Sequence, residues 1–587
     1  MTPIVSSRSP CLRSVAEFAI VALLAGSTLA QTTERVSVSS SGVEGDSHSY
    51  TPSITADGRF VVFDSYASNL VAGDTNGFRD VFVHDRATGT TERVSVASGG
   101  AEGNSNSYRH SISADGRFVA FWSDGSNLVT GDTNSAGDIF VRDRITGTTE
   151  RVSVDSNGAE GNSECYYASI SADGRWVAFA SSSTNLVPGD TNGFWDVFVH
   201  DRTTGMTERV SVATSAAQGN NDSNSSSAAI TPDGRFVTFE SNASNLVAGD
   251  TNQAGDIFVR DRQSGTTQRV SVATSGVQGN GLSRYAALSA DGRFVAFESD
   301  ASNFVPSDTN YHVDIFVRDR QSATTERVSV ATGGGQANGS SGNPLISADG
   351  RFVTFWSAAT MLVVGDTNGS SDAFVRDRQS ATTERVSVDS SGVQGNGYYS
   401  GSPSASADGR FVVFDSGAWN LVVGDTNSSV DVFLRDRGQQ LLSVYCTSGT
   451  SSNGCIASIA ASSHPSVSFA NACNITVTHT EGQQSGILFY GIDNAGFVPG
   501  SWESSGMSTL CVKSPVQRTP IQNSGGTSST CTGTYVLDWN AYQSTNPIAL
   551  GNPWTVGARV YVQAWSRDPF VSTWTNLSDA VEMTYQP

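Results

Sequence analysis

Short apolar runs alternate with turn clusters along most of the chain, and they do so in register from copy to copy. In one copy, residues 109–113 form a brief segment ending at Ala114-Asp115-Gly116-Arg117, a tight turn in which Gly supplies a positive φ. Phe118-Val119-Ala120-Phe121 follows, then Asp138-Ile139-Phe140-Val141-Arg142, then Thr149-Glu150-Arg151-Val152-Ser153-Val154. Each run is β-branched or aromatic and is bounded by Gly, Asp, Asn or Thr. The pattern predicts four short antiparallel strands per copy and no helical period.

Two markers count the copies. Asp-Gly-Arg begins at Asp57, Asp115, Asp173, Asp233, Asp291, Asp349 and Asp408, and Asp-Thr-Asn keeps step with it from Asp74 to Asp425. Seven copies of nearly constant length are one structural unit used seven times. Four-stranded sheets repeated radially make a propeller. The expected fold is therefore all-β: a seven-bladed β-propeller of four-stranded blades, followed by a small β-sandwich-like domain. An extra copy of the outer-strand text, Thr33-Glu34-Arg35-Val36-Ser37-Val38, precedes the first blade. After the seventh blade that text decays to Gly438-Gln439-Gln440-Leu441-Leu442-Ser443-Val444. The N-terminal strand is thus predicted to dock in the last blade and latch the ring. Phe63, Phe121, Phe179, Phe239, Phe297, Phe355 and Phe414 share one position and are expected to pack between blades. Arg86 and its counterparts are expected to form surface ion pairs or to bond carbonyls.

Ser113-Ala114-Asp115-Gly116-Arg117-Phe118-Val119-Ala120-Phe121 and Asp138-Ile139-Phe140-Val141-Arg142-Asp143 resemble the signature of the TolB-like (WD40-like) β-propeller repeats of exported bacterial proteins. The resemblance spans about residues 31–440 and implies the fold. It does not imply one function, because this fold serves binding, scaffolding and catalysis alike.

Composition adds an address. Residues 1–30 read as a signal peptide, with Arg8 and Arg13 before the apolar run FAIVALLA and small residues at Thr28-Leu29-Ala30. That implies a secreted, periplasmic or cell-surface protein, and the apolar run is too short to span a bilayer. A formal charge of −21 argues against nucleic acid and against membrane association through anionic lipid. Beyond about residue 446 the repeat ends, giving a propeller over 31–445 and a second domain over 446–587. Five of the seven cysteines, Cys446, Cys455, Cys473, Cys511 and Cys531, lie there. In an exported chain such clustering reads as disulfides, with Cys446–Cys455 and Cys511–Cys531 the expected pairs because both close short loops. Leu510-Cys511-Val512-Lys513-Ser514-Pro515, with Arg518-Thr519-Pro520 and Arg567-Asp568-Pro569, resembles a C-terminal module of large secreted bacterial proteins.

Antiparallel strands sort the loops onto two faces, one terse and one elaborated, and function is expected on the elaborated face. Its sharpest feature is Asp-Thr-Asn-x-x-x-Asp. The members are Asp74, Asn76 and Asp80; Asp132, Asn134 and Asp138; Asp190, Asn192 and Asp196; Asp250, Asn252 and Asp256; Asp308, Asn310 and Asp314; Asp366, Asn368 and Asp372; and Asp425, Asn427 and Asp431. Two carboxylates and an amide at this spacing can converge on Ca2+, with carbonyls completing the shell. They can equally lock a long loop through Asx-turns, or the second Asp can pair with the Arg of Asp-Gly-Arg.

Catalytic signals are sparse. The histidines fall at unrelated repeat positions, with His84 and His200 replacing an Arg, and no Gly-x-Ser-x-Gly elbow exists. The leading reading is a monomeric, non-enzymatic binding or scaffolding protein whose acidic propeller face meets a protein or glycan. The alternatives are a carbohydrate-active enzyme (glycosidase or lyase), for which Arg79, Trp195, Tyr311 and His312 are candidates, and a purely structural envelope component.

Overall fold

The computed structural model describes residues 31–223 and 229–438, together with the strands and helix of the C-terminal region between residues 458 and 584. The expected signal peptide and the expected Cys446–Cys455 and Cys511–Cys531 pairs lie outside the described residues.

β1 (Thr32–Arg35) precedes the first blade. That blade is an antiparallel sheet in chain order: β2 (Ser49–Ile54), β3 (Phe60–Ser65), β4 (Asp80–Asp85) and β5 (Thr90–Arg93). Five further sheets repeat the order. The seventh combines Ser400–Ala405, Phe411–Ser416 and Asp431–Asp436 with β1, which pairs from Thr32↔Asp436 to Arg35↔Phe433. The ring is therefore closed by the N-terminal strand, as the extra repeat text requires. Outer strands are shorter than their text, ending at Arg93, Arg151 and their equivalents. The chain turns away after them, so that Val96 bridges Glu102.

Packing between blades holds the ring. Phe63 is fully buried, stacks on Phe82 with centroids 5.9 Å apart, and lies with it in one cluster with Val413, Val432 and Leu434 of the seventh blade. The same inter-blade cluster recurs at the other six junctions. Each buried phenylalanine contributes about 1.5–3 kcal/mol of transfer free energy.

The terse face is stitched by arginines. Arg59 of Asp-Gly-Arg makes a bidentate pair with Asp85, at 3.0 and 2.8 Å. Asp80, which the sequence offered as its partner, opens β4 at the opposite end of the strand, out of reach. Arg86 donates to the Gly58 carbonyl at 2.6 Å and to Glu34 at 2.9 Å, and its guanidinium lies 4.3 Å from the Phe411 ring of the preceding blade. Gly58 sits at φ +75° with its Cα against that ring, so a Cβ has neither the backbone conformation nor the room it needs.

The C-terminal region contains two antiparallel sheets. One comprises Ser458–Ala461, Asn474–Thr480 and Gly533–Asp538, and the other is built around Ser485–Gly491, Arg559–Arg567 and Thr575–Thr584. Ile475, Val477 and Tyr535 from the first share one core with Leu488, Tyr490, Val560 and Val562 from the second. A helix, α1 (Trp539–Thr545), departs from the all-strand expectation. Two turns are too short to show a 3.6-residue period. Its N-terminus is set by Asp538, whose carboxylate accepts from the Ala541 amide at 3.0 Å. Cys473 is buried in this core. Cys165 is buried in the propeller, 3.3 Å from the Ser181 hydroxyl, and burial pushes its thiol up to about 12. Among the described residues no helix is long and apolar enough to cross a membrane.

Candidate ligand site on the propeller axis

The Asp-Thr-Asn loops do bring their acidic groups together, around an arginine. Arg93, the last residue of β5, points Nη1 at Asp74 (2.9 Å), Asp80 (3.2 Å) and Glu102 (3.0 Å). Arg151 stands likewise among Asp132, Asp138 and Glu160, at 3.5, 3.1 and 2.8 Å. Those three carboxylates lie within 4.8 Å of one another, a spacing that by itself suits a metal ion. Arg35 serves Asp425, Asp431 and Glu44 in the seventh blade. In the remaining four blades the pairs Asp190/Asp196, Asp250/Asp256, Asp308/Asp314 and Asp366/Asp372 meet Arg209, Arg269, Arg327 and Arg385. The guanidinium pairs with the same carboxylates that the sequence offered to a calcium ion.

The asparagines act locally. Asn76 accepts from the Phe78 amide (2.8 Å) in an Asx-turn and donates to Asp80 (2.8 Å) and to the Gly103 carbonyl (3.1 Å). Asn134, Asn192, Asn252, Asn310, Asn368 and Asn427 repeat the donation to their own Asp. Burial pushes the carboxyls of Asp74, Asp138 and Asp425 up to about 6, against the pull of the arginines. Glu102 and Glu44 are held below the usual carboxylate range, chiefly by the hydroxyls of Thr75 and Thr426.

With the frame so occupied, the variable chemistry lies at the axis. Each fully described innermost strand slips register once, at Tyr50/Ser53, Tyr108/Ser111, Tyr166/Ser169, Arg284/Ala287, Gly342/Leu345 and Gly401/Ser404. Inside each slip one non-glycine residue has left-handed backbone: Thr51, Arg109, Tyr167, Tyr285, Asn343 and Ser402, with φ between 45° and 56°. Bulges of this kind re-aim side chains, and left-handed non-glycine residues cost about 1–3 kcal/mol each. All six line one axial cavity of 450 Å³. A second cavity of 560 Å³ shares Arg109, Tyr167 and Tyr285 with the first and adds Tyr108, Tyr166, Trp195, Glu240 and Arg284.

The second cavity is bordered by aromatic groups. Tyr108 packs on Trp122 (4.5 Å), Trp122 on Tyr166 (5.4 Å) and Tyr166 on Trp195 (5.5 Å). Arg79 joins from the loop before β4, 4.9 Å from the Tyr108 ring and 2.5 Å from Asp64. Thr51 ties two carboxylates together, donating its hydroxyl to Asp64 (2.6 Å) and its amide to Asp415 (3.2 Å). Both carboxyls are buried, 0 % and 2 % exposed, and burial lifts each to about 6. His110 lies 3.6 Å from Asp64, and burial pushes its imidazole down to about 3, so it is neutral. Glu298 accepts from Arg284 (2.5 Å) and from the Asn343 amide (2.8 Å).

Of the four residues singled out for a non-repeating site, Arg79 and Trp195 reach this region. Tyr311, 96 % exposed, and the neighbouring His312 stand on a loop tip instead. The bulge residues were missed because a bulge leaves no mark on a hydrophobic pattern. Aligning the copies would have shown them inside a short variable stretch between a nearly constant Ser, such as Ser49, and the Asp-Gly-Arg turn.

Neither a family model nor a curated protein matches the chain. Solved structures similar to it include an oligogalacturonate lyase in complex with manganese (13 % identity over 70 % of this chain and 95 % of that one, TM-score 0.43). TolB from Acinetobacter baumannii aligns at 16 % identity over 58 % and 64 %, with a TM-score of 0.32. The Pyrococcus horikoshii acylaminoacyl peptidase aligns at 10 % over 74 % and 59 %, with a TM-score of 0.40.

Proposed function

We propose that the chain is an exported, non-enzymatic binding protein that holds a glycan at the axis of its propeller. One observation carries this reading: five residue types occupy the six bulge positions, Thr51, Arg109, Tyr167, Tyr285, Asn343 and Ser402, while the turns and outer strands around them hardly vary. Identical blades need no such variation for stability, whereas an asymmetric ligand does. Partly exposed rings at Tyr166, Tyr167, Trp195 and Tyr285 offer apolar faces with polar edges, the combination that sugar rings require. The C-terminal unit, with its likeness to a module of secreted proteins, fits the same exported setting.

Catalysis is the weaker reading because Asp64 and Asp415, the obvious carboxylate pair, are buried and held by Thr51. A glycosidase needs its two carboxyls against the scissile bond. The test is binding of the full chain to an array of neutral and acidic oligosaccharides, followed by chromatography of the bound sugars. Retention with intact sugars is expected, and Trp195→Ala should weaken it about tenfold. Appearance of new reducing ends or unsaturated ends would replace binding with the enzymatic alternative.

A further inference from the structure

Arg109 stands apart from every other arginine of the propeller. Each of the others between residues 31 and 438 donates to a carboxylate, amide oxygen, hydroxyl or carbonyl. Examples are Arg79 on Asp64, Arg284 on Glu298, Arg142 and Arg260 on carbonyls, and Arg320 on Gln268. Among the described residues the Arg109 guanidinium has no hydrogen bond and no ion pair. Its surroundings are aromatic: its Cζ lies 3.8 Å from the Tyr167 ring, 5.2 Å from Tyr166 and 5.7 Å from Tyr108. Cation–π contact holds the charge in place but leaves its five N–H donors unused. The backbone beneath it is left-handed at φ 55°, so the chain accepts strain to place this side chain at the axis. Both axial cavities are lined by it.

We infer that the axial site takes an acidic saccharide, with a sugar carboxylate on the Arg109 guanidinium and the sugar rings against Tyr166, Tyr167, Trp195 and Tyr285. This rests on the glycan-binding reading and narrows it. One unpaired guanidinium matches one carboxylate, bidentate and planar against planar. A phosphorylated or polyanionic ligand fits worse. The neighbouring cations Arg79 and Arg284 are already neutralised by Asp64 and Glu298, and Glu240 lines the same cavity. The cavity volumes lie within the range of small-ligand sites, about 300–1,000 Å³.

The experiment is calorimetric titration of the full chain with uronic-acid disaccharides to tetrasaccharides, and with the same sugars after chemical reduction of each carboxylate to a hydroxymethyl group. Arg109→Asn tolerates the left-handed backbone and removes the charge, whereas Arg109→Lys keeps the charge and loses the fork. The acidic sugars should bind about tenfold or more tighter than their reduced forms, and Arg109→Asn should erase that preference while leaving the weaker neutral binding in place. Equal binding of acidic and reduced sugars by the unaltered protein overturns the acidic assignment and leaves the glycan reading standing. Binding of neither overturns both. If Arg109→Asn melts below the unaltered protein, the acidic-against-reduced comparison on the unaltered protein decides alone.

Discussion

Glu102 belongs to the linker that enters the second blade, yet its carboxylate accepts the Thr75 hydroxyl of the first blade's loop at 2.5 Å. Two residues on, Asn104 is held by the second blade's own loop, its amide donating to Asn127 at 3.0 Å and its side chain to Ser126 at 3.0 Å. Each linker thus fastens two successive loops, and the elaborated face is a continuous belt rather than seven separate tips.

Removing the arginine at the centre of a triad should be costly. Arg93→Met leaves Asp74, Asp80 and Glu102 facing one another without a cation, and unpairing buried charges typically costs about 3 kcal/mol or more. A drop in the urea midpoint of the propeller transition measures it. Arg93→Met melting with the unaltered chain would mean that the triads contribute nothing.

A calcium ion bound in these loops would have to take carboxylate oxygens that now pair with the guanidinium. The full chain, stripped with chelator, is expected to melt at the same temperature with and without millimolar calcium. A calcium-specific rise that magnesium does not reproduce would show the ion entering the triads, and the arginine lock would then be the wrong account.

Stability should peak in mild acid. Asp64, Asp74, Asp138, Asp415 and Asp425 are lifted to about 6 in the folded chain, against about 3.9 unfolded. A carboxyl that holds its proton more tightly when folded favours folding as pH falls from about 7 towards 4. Asp85, Asp143, Asp201 and Asp261 are shifted the other way, chiefly by hydrogen bonds from Arg59, Arg117, Arg175 and Arg235. Their contribution is present above about pH 4 and is lost below it. The melting temperature should therefore rise from pH 8 to about 5 and fall below about 4. A steady decline from pH 8 to 5 would contradict the burial of those five carboxyls.

Deleting residues 31–38 should open the ring. The seventh blade would lose β1, Val36 would leave the junction cluster, and Asp431 would lose the Ser37 hydroxyl at 2.6 Å as well as Arg35. The strand Asp431–Asp436 would become an unpaired edge, which invites association. Size-exclusion chromatography should show oligomers or aggregate where the full chain runs as one species. A truncated chain that is monodisperse and equally stable would show that the latch is dispensable.

What was legible in the sequence follows its physics. Seven Asp-Gly-Arg turns fix the blade count because each is a hairpin that only a small menu of residues can make, and the extra Thr33-to-Val38 text announces the latch. Phe63 and its equivalents were readable because an apolar residue at a fixed place in a strand has few places to go. The triads were only half readable. Asp74 and Asp80 were visible as a pair, but Arg93 looked like plain strand text, and Glu102 comes from the linker to another blade. Arg79 and Trp195 could be singled out as departures from the repeat. Arg109 could not, because what distinguishes it is a missing partner, and that is a property of three dimensions.

Closure by β1 also has a kinetic side. The strand made first by the ribosome finds its partner only when Asp431–Asp436 exists, a separation of almost the whole propeller. Six junctions can form between consecutive blades as they appear, at the modest loop entropy of neighbouring units. The seventh must draw together ends that all the others have already positioned. Throughout that interval Thr32–Arg35 has no partner strand, and the first blade lacks its flanking neighbour. The last contact made is also the one that converts a stack with two open ends into a ring with none, so the commitment to the native state waits until the strand Asp431–Asp436 is available.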